Sequence, residues 1–457
     1  MPRFLPHERR AVVSLGLLYT FRMLGLFMVL PVLIQYGEGY AHSTAQLLGF
    51  AMGAYGLSQA LLQIPFGLWS DKWGRKPVIV VGLCLFAVGS VVAALSESVY
   101  GLILGRFLQG GGAIAAAVMA LVADLTSDAN RTKAMAAIGA SIGLSFLVAM
   151  VISPRLADWG GLSAIFWSTA ALALVGLLIV IFIVPRAQYG QSSHRQISTN
   201  REVVLKVLHN PDLLRLNAGI FTLHFVLVSY FTVLPSALEQ VLQIESKQQS
   251  WVYLPVLLGS FVIMLPFMLL AERKRKVKPV FVGAVAMAGL AQLAFLFGYQ
   301  QGWILVTAMF LFFVAFNLLE ATLPSLVSKA APLVGRGTAN GIYSTCQFLG
   351  IAVGGSAAGW ALGQGGAPYV IGLCVAVIAV WWFIALSMRA PRYFSNVMVP
   401  VTAANRELFL LRLAELPGVA EISYLEDEKA AFLRVDEQLF HREALRELEE
   451  ADLEATC

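Results

Sequence analysis

The sequence predicts an all-α membrane protein of twelve spanning helices, arranged as two halves of six and followed by a small soluble α+β domain. Composition is the first observation behind this prediction: 58% of the 457 residues are hydrophobic, 13% are charged, and the mean hydropathy is +0.75. Soluble globular proteins carry about 25% charged residues, so this composition is typical of membrane proteins. The lengths of the apolar segments and an internal repeat are the other two observations.

The apolar segments are long enough to span a bilayer, for which a helix needs about 20 residues. The first run begins at Ala11 and is too long for the apolar region of a signal peptide, so we interpret it as a spanning helix. The twelve predicted segments are 11–35, 45–69, 78–97, 100–124, 132–154, 162–184, 213–238, 250–271, 279–298, 303–327, 338–362 and 367–388.

A polar stretch at residues 186–212 separates the sixth segment from the seventh, whereas most other connections are very short. We interpret it as a cytoplasmic linker between two bundles of six helices. The predicted domains are therefore an N-terminal half at 1–185, a C-terminal half at 213–388 and a soluble domain at 396–457, which we call the tail.

The lysine and arginine residues of the loops fall almost entirely on one side of the predicted bundle. By the positive-inside rule this side is cytoplasmic, and both termini share it because the number of spans is even. Only Arg155 and Lys247 are predicted on the opposite side. The basic loops lie at residues 3–10, 72–76, 131–133, 186–215, 273–278, 329–336 and 389–392.

The two halves resemble each other in sequence. In the first half, Asp71 follows six residues after Pro65, which lies near the end of segment two. In the second half, Glu272 follows six residues after Pro266, at the end of segment eight. Each acid is followed by a basic cluster. Repeated bundles of this kind are the architecture of alternating-access transporters, in which the substrate site lies between the repeats near the midplane of the membrane.

The tail has an ordinary charge density and a pattern of short alternating segments. Turn residues at Pro417 and Gly418 separate a helical pattern from two strand patterns. The order strand, helix, strand, strand, helix predicts a small ferredoxin-like α+β domain, with its last strand missing or frayed after Leu453. The predicted elements are 397–401, 405–415, 419–425, 430–435 and 440–450.

Several other classes of protein are disfavoured. The basic residues lie in short loops and not on one soluble face, so we predict no nucleic-acid partner. The four cysteines form no CxxC pair, so neither a metal site nor a disulfide framework is predicted. The chain has no HExxH motif, no cluster of catalytic carboxylates and no nucleotide-binding loop, so we predict that it is not an enzyme and needs no cofactor.

The loop between segments two and three carries a distinctive set of residues. Gly67 and Gly74 permit a close backbone approach and a tight turn. Asp71 is predicted to be attracted to the positive N-terminal end of segment eleven, and Arg75 is predicted to pair with Asp124 at the end of segment four. The simpler alternative is that the charges, including Lys76, only obey the positive-inside rule.

Residues 67–77 of this loop resemble motif A of the major facilitator superfamily, and residues 106–113 resemble its motif B. The resemblance implies the twelve-helix fold of that family. It also implies that the motif A cluster latches the two halves in the outward-open state and releases them in the inward-open state. For Arg106 it implies a role in proton coupling, whereas the alternative is a structural arginine.

Four ionisable residues lie within apolar segments, where a charge costs several kcal/mol. Arg22, Arg106, His224 and Glu320 lie on segments one, four, seven and ten, which line the central cavity in the superfamily. Asn317 lies one turn before Glu320 and belongs to the same predicted site. A carboxyl group in a low-dielectric site takes up a proton more readily, and a histidine titrates near neutral pH.

We therefore predict that Glu320 and His224 carry the coupling proton. A static ion pair of Glu320 with Arg22 or Arg106 is the alternative. The antiporter motif of segment five is only partly present, as Gly139 and Gly143 at GxxxG spacing, so antiport and symport both stay open.

Within the superfamily, the chain resembles bacterial proton-driven efflux transporters of the inner membrane most specifically. The first segment, the tenth segment and the tail carry this resemblance. It implies a proton-coupled antiporter that exports a hydrophobic or amphipathic small molecule, and we predict a monomer. Weakly charged segments rich in Phe and Met favour such a substrate. The alternative is a proton-linked carrier of a specific metabolite, such as a sugar or an organic anion, with Arg22 and Arg106 as its ligands.

Overall fold

A computed structural model describes residues 4–185, 201–332, 335–389, 394–401, 406–425, 430–436, 439–441 and 443–448. Part of the predicted linker, residues 186–200, lies outside this set. The rest of the linker contains helix α8 (Arg201–Leu208), which the sequence analysis interpreted only as a polar connection.

The N-terminal half is helical, and two of its helices carry a side-chain cap at the start. Thr44 accepts a hydrogen bond from the amide of Leu47 (3.2 Å), and Ser98 accepts one from the amide of Gly101 (3.4 Å). The helices are α1 (Pro6–Phe27), α2 (Leu33–Gly37), α3 (Ala45–Trp73), α4 (Arg75–Leu95), α5 (Val99–Gly111), α6 (Ala115–Asp124) and α7 (Asp128–Leu178).

The C-terminal half repeats this arrangement after α8. Its helices are α9 (Pro211–Phe231), α10 (Leu234–Leu242), α11 (Ser250–Arg273), α12 (Val277–Gly298), α13 (Gly302–Ala330), α14 (Arg336–Gly365) and α15 (Ala367–Leu386).

Eleven helical stretches among the described residues are long and apolar enough to cross a membrane. One of them contains α7, whose 51 residues would extend about 75 Å at 1.5 Å per residue, against a hydrocarbon core of roughly 30 Å. The backbone leaves the helical conformation at Gly160 and Gly161, and Gly161 has a φ of +63° that favours glycine. Because α7 thus holds two spans joined by a turn, the described part of the chain has the twelve predicted crossings.

The predicted segments one, four and seven are each broken into two helices: α1 and α2, α5 and α6, α9 and α10. The sequence analysis predicted one continuous helix at 100–124, and this was wrong at the glycine run 110–112, because α5 ends at Gly111 and α6 begins at Ala115. The run does pack closely, since a methyl group added at Gly110 would meet the backbone of Tyr55. A break frees backbone carbonyls that lipid cannot solvate, so polar side chains must satisfy them.

The two halves meet along α3 and α14 through small residues, a contact that we call the glycine seam. A methyl group added at Gly49 would meet the backbone of Gly355 and Gly359, and one added at Gly53 would meet the carbonyl of Ala352. Small residues allow membrane helices to approach this closely. We call the end of the bundle that carries the loops at residues 72–76 and 273–278 the basic end. The glycine seam lies far from this end.

Other contacts between the halves also lie at the end opposite the basic end. The Arg155 guanidinium lies 5.4 Å from the centre of the Trp251 ring, and Gln35 Nε2 donates to Glu239 Oε2 at 2.6 Å. Nearer the middle, the Phe146 ring contacts the rings of three C-terminal-half residues at 6.0 to 6.4 Å: Phe231, Phe313 and Phe316. In this conformation the halves are therefore closed together at the end opposite the basic end.

The tail contains three antiparallel strands in the order β1 (Phe394–Pro400), β3 (Ala430–Asp436), β2 (Val419–Leu425). Helix α16 (Arg406–Glu415) follows β1, and residues 443–448 form a second helical stretch. These elements agree with the predicted order, and the end of the tail lies outside the described residues. The core is apolar and includes Val399, Phe409, Leu413, Leu433, Val435 and Leu445.

The chain divides into two compact units. One comprises Met1–Tyr189, Arg215–Leu323 and Gly341–Met388, and the other comprises Gly190–Leu214, Pro324–Asn340 and Arg389–Cys457. The connection between α13 and α14 thus groups with the tail, whereas the sequence analysis assigned it to the C-terminal half.

Within the second unit, Arg434 of β3 binds the last residues of α13. Its Nη1 donates to the carbonyl of Ala331 at 2.8 Å, its Nη2 donates to the carbonyl of Lys329, and Glu421 Oε2 lies 3.6 Å from Nη1. The last carbonyls of a helix have no partners within it, and a cation is favourable at this negative end. The buried guanidinium therefore caps α13.

Candidate functional site

His224 lies on α9, buried in the C-terminal half, and two hydrogen bonds fix its tautomer. Its Nδ1 lies 3.3 Å from the carbonyl oxygen of Ile220, and its Nε2 lies 2.8 Å from Nε2 of Gln347 on α14. A carbonyl oxygen only accepts, so Nδ1 carries the proton. With the Gln347 amide oriented as in this conformation, its nitrogen donates to Nε2, which then holds a lone pair and leaves the imidazole neutral.

Glu320 of α13 faces the same imidazole. Its Oε2 lies 3.9 Å from His224 Nε2, and no hydrogen-bond partner for this buried oxygen lies among the described residues. The remainder of the side chain is accessible, since 38% of it is exposed compared with 7% for His224. Glu320 therefore lies between the buried histidine and an accessible surface of α13, and a carboxylate there forms an ion pair with the protonated ring.

Asn317 and Phe316 position α13 beside this pair. Asn317 Nδ2 donates to Ser260 Oγ on α11 at 3.0 Å. The Phe316 ring lies 6.0 Å from the His224 ring, centre to centre. Both residues lie about one turn before Glu320, so they determine which face of α13 presents the carboxyl group to α9.

Arg22 of α1 lies in a separate polar cluster in the N-terminal half and is only 2% exposed. Its Nη2 donates to Gln59 Oε1 on α3 and to the carbonyl of Gly112 at 3.2 Å. The second contact satisfies a carbonyl that the break between α5 and α6 exposes. Gln59 in turn donates to Gln63 at 2.9 Å, so the cation is held by a chain of amides.

Arg106 of α5 is equally buried, at 1% exposed. Its Nη1 donates to Gln109 Oε1 at 2.9 Å, and its guanidinium lies 4.9 Å from the centre of the Tyr55 ring, which is a cation–π distance. Gln109 donates to Ser90 at 2.8 Å. The described contacts of Arg106 are thus with an amide and an aromatic ring.

The predicted coupling residues therefore form two groups. His224, Glu320 and Asn317 come together in the C-terminal half, whereas Arg22 and Arg106 lie in glutamine networks of the N-terminal half. Neither arginine is the partner of Glu320 among the described ion pairs, so the static pairs considered as an alternative are absent there.

The sequence analysis missed the glutamines that hold these charges. Gln59, Gln109 and Gln347 each lie inside an apolar segment, where an unpaired amide is costly. That cost is the signal that could have identified them, because a polar side chain in a spanning segment is expected to have a partner.

The motif A loop contains the predicted contact between Arg75 and Asp124, with Nε 3.3 Å from Oδ2. Arg75 Nη1 also donates to Asp71 and, at 2.8 Å, to the hydroxyl of Ser70. The Asp71 side chain is half exposed. One guanidinium thus joins the ends of α3 and α6 through two carboxylates, while the attraction of Asp71 to the start of α14 stays a prediction.

The structure explains the residue type at some of the other motif A positions and not at all of them. Gly74 has a φ of +94°, which explains the glycine at the turn between α3 and α4. Lys76 Nζ donates to the carbonyl of Val184. The expected close approach at Gly67 is not present in this conformation, since an added methyl group would lie 3.7 Å from Ala116 Cβ, an ordinary contact.

Two six-helix halves, closed against each other at one end and carrying buried charges, define a membrane transporter of the alternating-access class. The family model of the Major Facilitator Superfamily matches residues 15–355 and 238–398, and the chain belongs to this family. It is accordingly a transporter and not an enzyme, and its partners are a small-molecule substrate and the lipid bilayer.

Relatives agree with this assignment. The chain is 46% identical over 444 residues to the inner membrane transport protein YajR of Escherichia coli K12, covering 96% of each chain. It is 27% identical over 341 residues to multidrug resistance protein 2 of Bacillus subtilis, covering 72% of this chain and 82% of that one. The sequence-based resemblance to the major facilitator superfamily and to bacterial inner membrane transporters is thereby confirmed.

Solved structures show the same fold. A bacterial homologue of the human lysosomal transporter Spinster, crystallised in an inward-facing and occupied conformation, superposes with a TM-score of 0.67 at 14% identity, covering 85% of this chain and 98% of that one.

Proposed function

We propose that this chain exports a hydrophobic or amphipathic small molecule across a bacterial inner membrane in exchange for protons. The main support for this proposal is the His224–Glu320 pair, in which a buried imidazole and a partly exposed carboxyl group lie 3.9 Å apart. Buried ionisable groups in membrane helices commonly carry protons or substrates. Both groups change charge on protonation, unlike the two buried arginines.

The proposed cycle begins with protonation of Glu320 from the side to which it is exposed. The proton passes to His224 Nε2, and the resulting ion pair alters the contacts of α9, α13 and α14. Alternating access then moves residues 1–185 against 213–388, with the Asp71–Arg75–Asp124 cluster as the latch at the basic end. The basic end is proposed to face the cytoplasm, with both termini on that side.

The substrate class is supported by apolar surfaces between the halves. The Phe146 ring and its three aromatic neighbours place apolar surface between the halves in the middle of the bundle. The multidrug relative, by its name, handles drugs, which agrees with an apolar or amphipathic substrate.

A metabolite carrier is the second candidate, and the N-terminal half favours it. Arg22 Nε and Nη1 and Arg106 Nε have no hydrogen-bond partners among the described residues. A carboxylate is a strong partner for such groups. An organic anion as substrate would therefore satisfy them if the halves opened to admit it.

The test uses proteoliposomes with an imposed pH gradient and ethidium as the amphipathic probe. We expect Glu320→Gln to lower gradient-driven flux by about tenfold, equivalent to about 1.4 kcal/mol. Glu245→Gln, at an exposed position, is the matched control and is expected to leave flux unchanged. An unaltered pH dependence in Glu320→Gln would exclude this residue as the carrier.

Competition separates the two candidate functions. Inhibition of ethidium flux by uncharged amphipaths supports the leading proposal. Inhibition by organic anions alone, lost in Arg22→Gln, supports the metabolite carrier.

We also propose that the tail is a ferredoxin-like domain. The support is the strand order, in which β3 lies antiparallel between β1 and β2 while α16 connects β1 to β2. This is the split βαβ arrangement of that fold. Backbone NMR assignment of the full-length protein that failed to show β1 paired with β3 would contradict it.

A further inference from the structure

Helix α14 is held on two sides by different parts of the molecule. On one side it packs against α9, where methyl groups added at Gly350 and Gly354 would meet the backbone of Phe221 and Phe225. Ser229 of α9 also donates to the carbonyl of Gly354 at 3.1 Å. On the other side α14 forms the glycine seam with α3. A change in the α9 contact therefore acts on a helix that also forms the interface between the halves.

Gln347 is the polar link between α9 and α14. It lies one turn before Gly350, and its amide nitrogen donates to His224 Nε2. That bond requires a neutral imidazole with its proton on Nδ1, as the Ile220 carbonyl specifies. When the ring is protonated, Nε2 also carries a hydrogen, and two donors face each other across 2.8 Å.

Two groups can accept the new hydrogen. One is the carboxylate of Glu320 on α13, 3.9 Å away. The other is the Gln347 carbonyl oxygen, which reaches the ring only after the amide turns over. Tyr343 of α14 interacts electrostatically with Glu320, so it belongs to the same environment. In the first case the bond that joins α9 to α14 is broken, and in the second its donor and acceptor are exchanged.

We propose that Gln347 is the positioning residue that transmits protonation of His224 to α14 and through it to the glycine seam. The proposal rests on the proposed function, since it assumes that His224 titrates during transport. Gln347 itself neither gains nor loses a proton. It senses which form of the imidazole is present, because its amide nitrogen binds the neutral ring and repels the protonated one.

The first test is nitrogen-15 NMR of the full-length protein labelled at histidine, with the His224 signal assigned by its loss in His224→Gln. At neutral pH we expect a protonated Nδ1 and a bare, hydrogen-bonded Nε2. In Gln347→Met, which keeps the side-chain shape, we expect part of the population to move its proton to Nε2, toward Glu320. A wild-type spectrum with the proton on Nε2 overturns the proposal without any variant at Gln347.

The second test places spin labels at Phe50→Cys on α3 and Trp360→Cys on α14, which flank the seam. We expect the distance distribution in the wild-type background to change between mildly alkaline and mildly acidic pH. With Gln347→Met that pH dependence is lost. Gln364→Met, an exposed position on the same helix, is the matched control and is expected to retain it.

The outcomes separate this proposal from the proposed function. If the wild-type seam does not respond to pH, coupling through His224 fails and the proposal fails with it. If the wild type responds and Gln347→Met responds identically, only the role of Gln347 is overturned. Gln347→Glu offers a negative acceptor to the protonated ring, so we expect it to retain the pH dependence that Gln347→Met loses. A residue with only a structural role would not produce this difference between the two variants.

Discussion

The two halves of this transporter share one fold but bury different kinds of charge. In the N-terminal half, Arg22 and Arg106 are held by glutamines and an aromatic ring, and a guanidinium stays protonated at any physiological pH. In the C-terminal half, His224 and Glu320 face each other, and each changes charge within or near that range when its surroundings allow. The same scaffold therefore holds a fixed charge in one half and a variable charge in the other.

This difference indicates a division of labour. A permanent charge surrounded by amides stabilises the packing of α1, α3 and α5 and gives no response to pH. A titratable pair beside a single amide on α14 is poorly suited to stabilisation but can alter a helix contact. We infer that the N-terminal half acts as the more rigid body and that the proton acts on the C-terminal half.

The largest expected effect concerns the loops that follow α3 and α11, which correspond in the two halves. Asp71→Asn removes a carboxylate from the Arg75–Asp124 cluster, and we expect ethidium flux to fall by about tenfold or more, because the guanidinium that joins α3 to α6 loses one of its two carboxylates. Glu272→Gln, the equivalent change in the C-terminal half, is the matched comparison. Flux in proteoliposomes, normalised to protein content, measures both.

Equal losses of ethidium flux in the two variants would show that the two loops are functionally equivalent. The proposed difference between the halves would then not extend to these loops. Normal flux in Asp71→Asn would count against a latch altogether.

A smaller effect is expected in the polar core of the N-terminal half. Gln59→Leu removes one of the two acceptors of Arg22 Nη2 and leaves the guanidinium with one fewer partner, so we expect a loss of about 1.5–3 kcal/mol in stability. The pH profile of transport in the folded fraction is expected to stay unchanged. Thermal unfolding in detergent gives the first quantity and flux against pH gives the second.

Gln347→Met is the counterpart in the C-terminal half and is expected to show the reverse: little loss of stability and an altered pH response. If Gln59→Leu instead changed the pH profile, the N-terminal half would take part in coupling and the division would fail.

The smallest effect is expected at the tail, which binds the end of α13 in the C-terminal half. Arg434→Ala uncaps the carbonyls of Lys329 and Ala331, and removal of such a cap costs about 1–2 kcal/mol. Faster hydrogen exchange in the last turn of α13 measures this loss. Arg412→Ala, at an exposed position of α16, is the control. Unchanged exchange in Arg434→Ala would mean that the cap contributes nothing.

Much of the fold could be predicted from the sequence, because the bilayer imposes simple rules on length and charge. The twelve spans, the midpoint and the strand order of the tail follow from apolar runs, loop charges and alternating patterns. The positions of the helix breaks could not be predicted. The break at Gly112 depends on an arginine from another helix, which satisfies the freed carbonyl, and the sequence of the broken segment does not contain this information.

The candidate site was predicted less completely. The presence of a single ionisable residue in an apolar segment correctly predicted buried or partly buried groups at four positions: Arg22, Arg106, His224 and Glu320. Their pairing could not be predicted, because it depends on contacts between helices far apart in sequence. His224 and Gln347 are separated by 123 residues, and only the packing of α9 against α14 brings them together.

The glycine seam has a consequence for how the two halves separate. Backbone touches backbone there, so no side chain can change its rotamer to follow a small displacement. Interfaces of this kind tend to occupy discrete arrangements and not a continuum. Opening should therefore occur as a single event across the whole length of the contact, and distance measurements across it should resolve two populations whose proportions vary while their positions stay fixed.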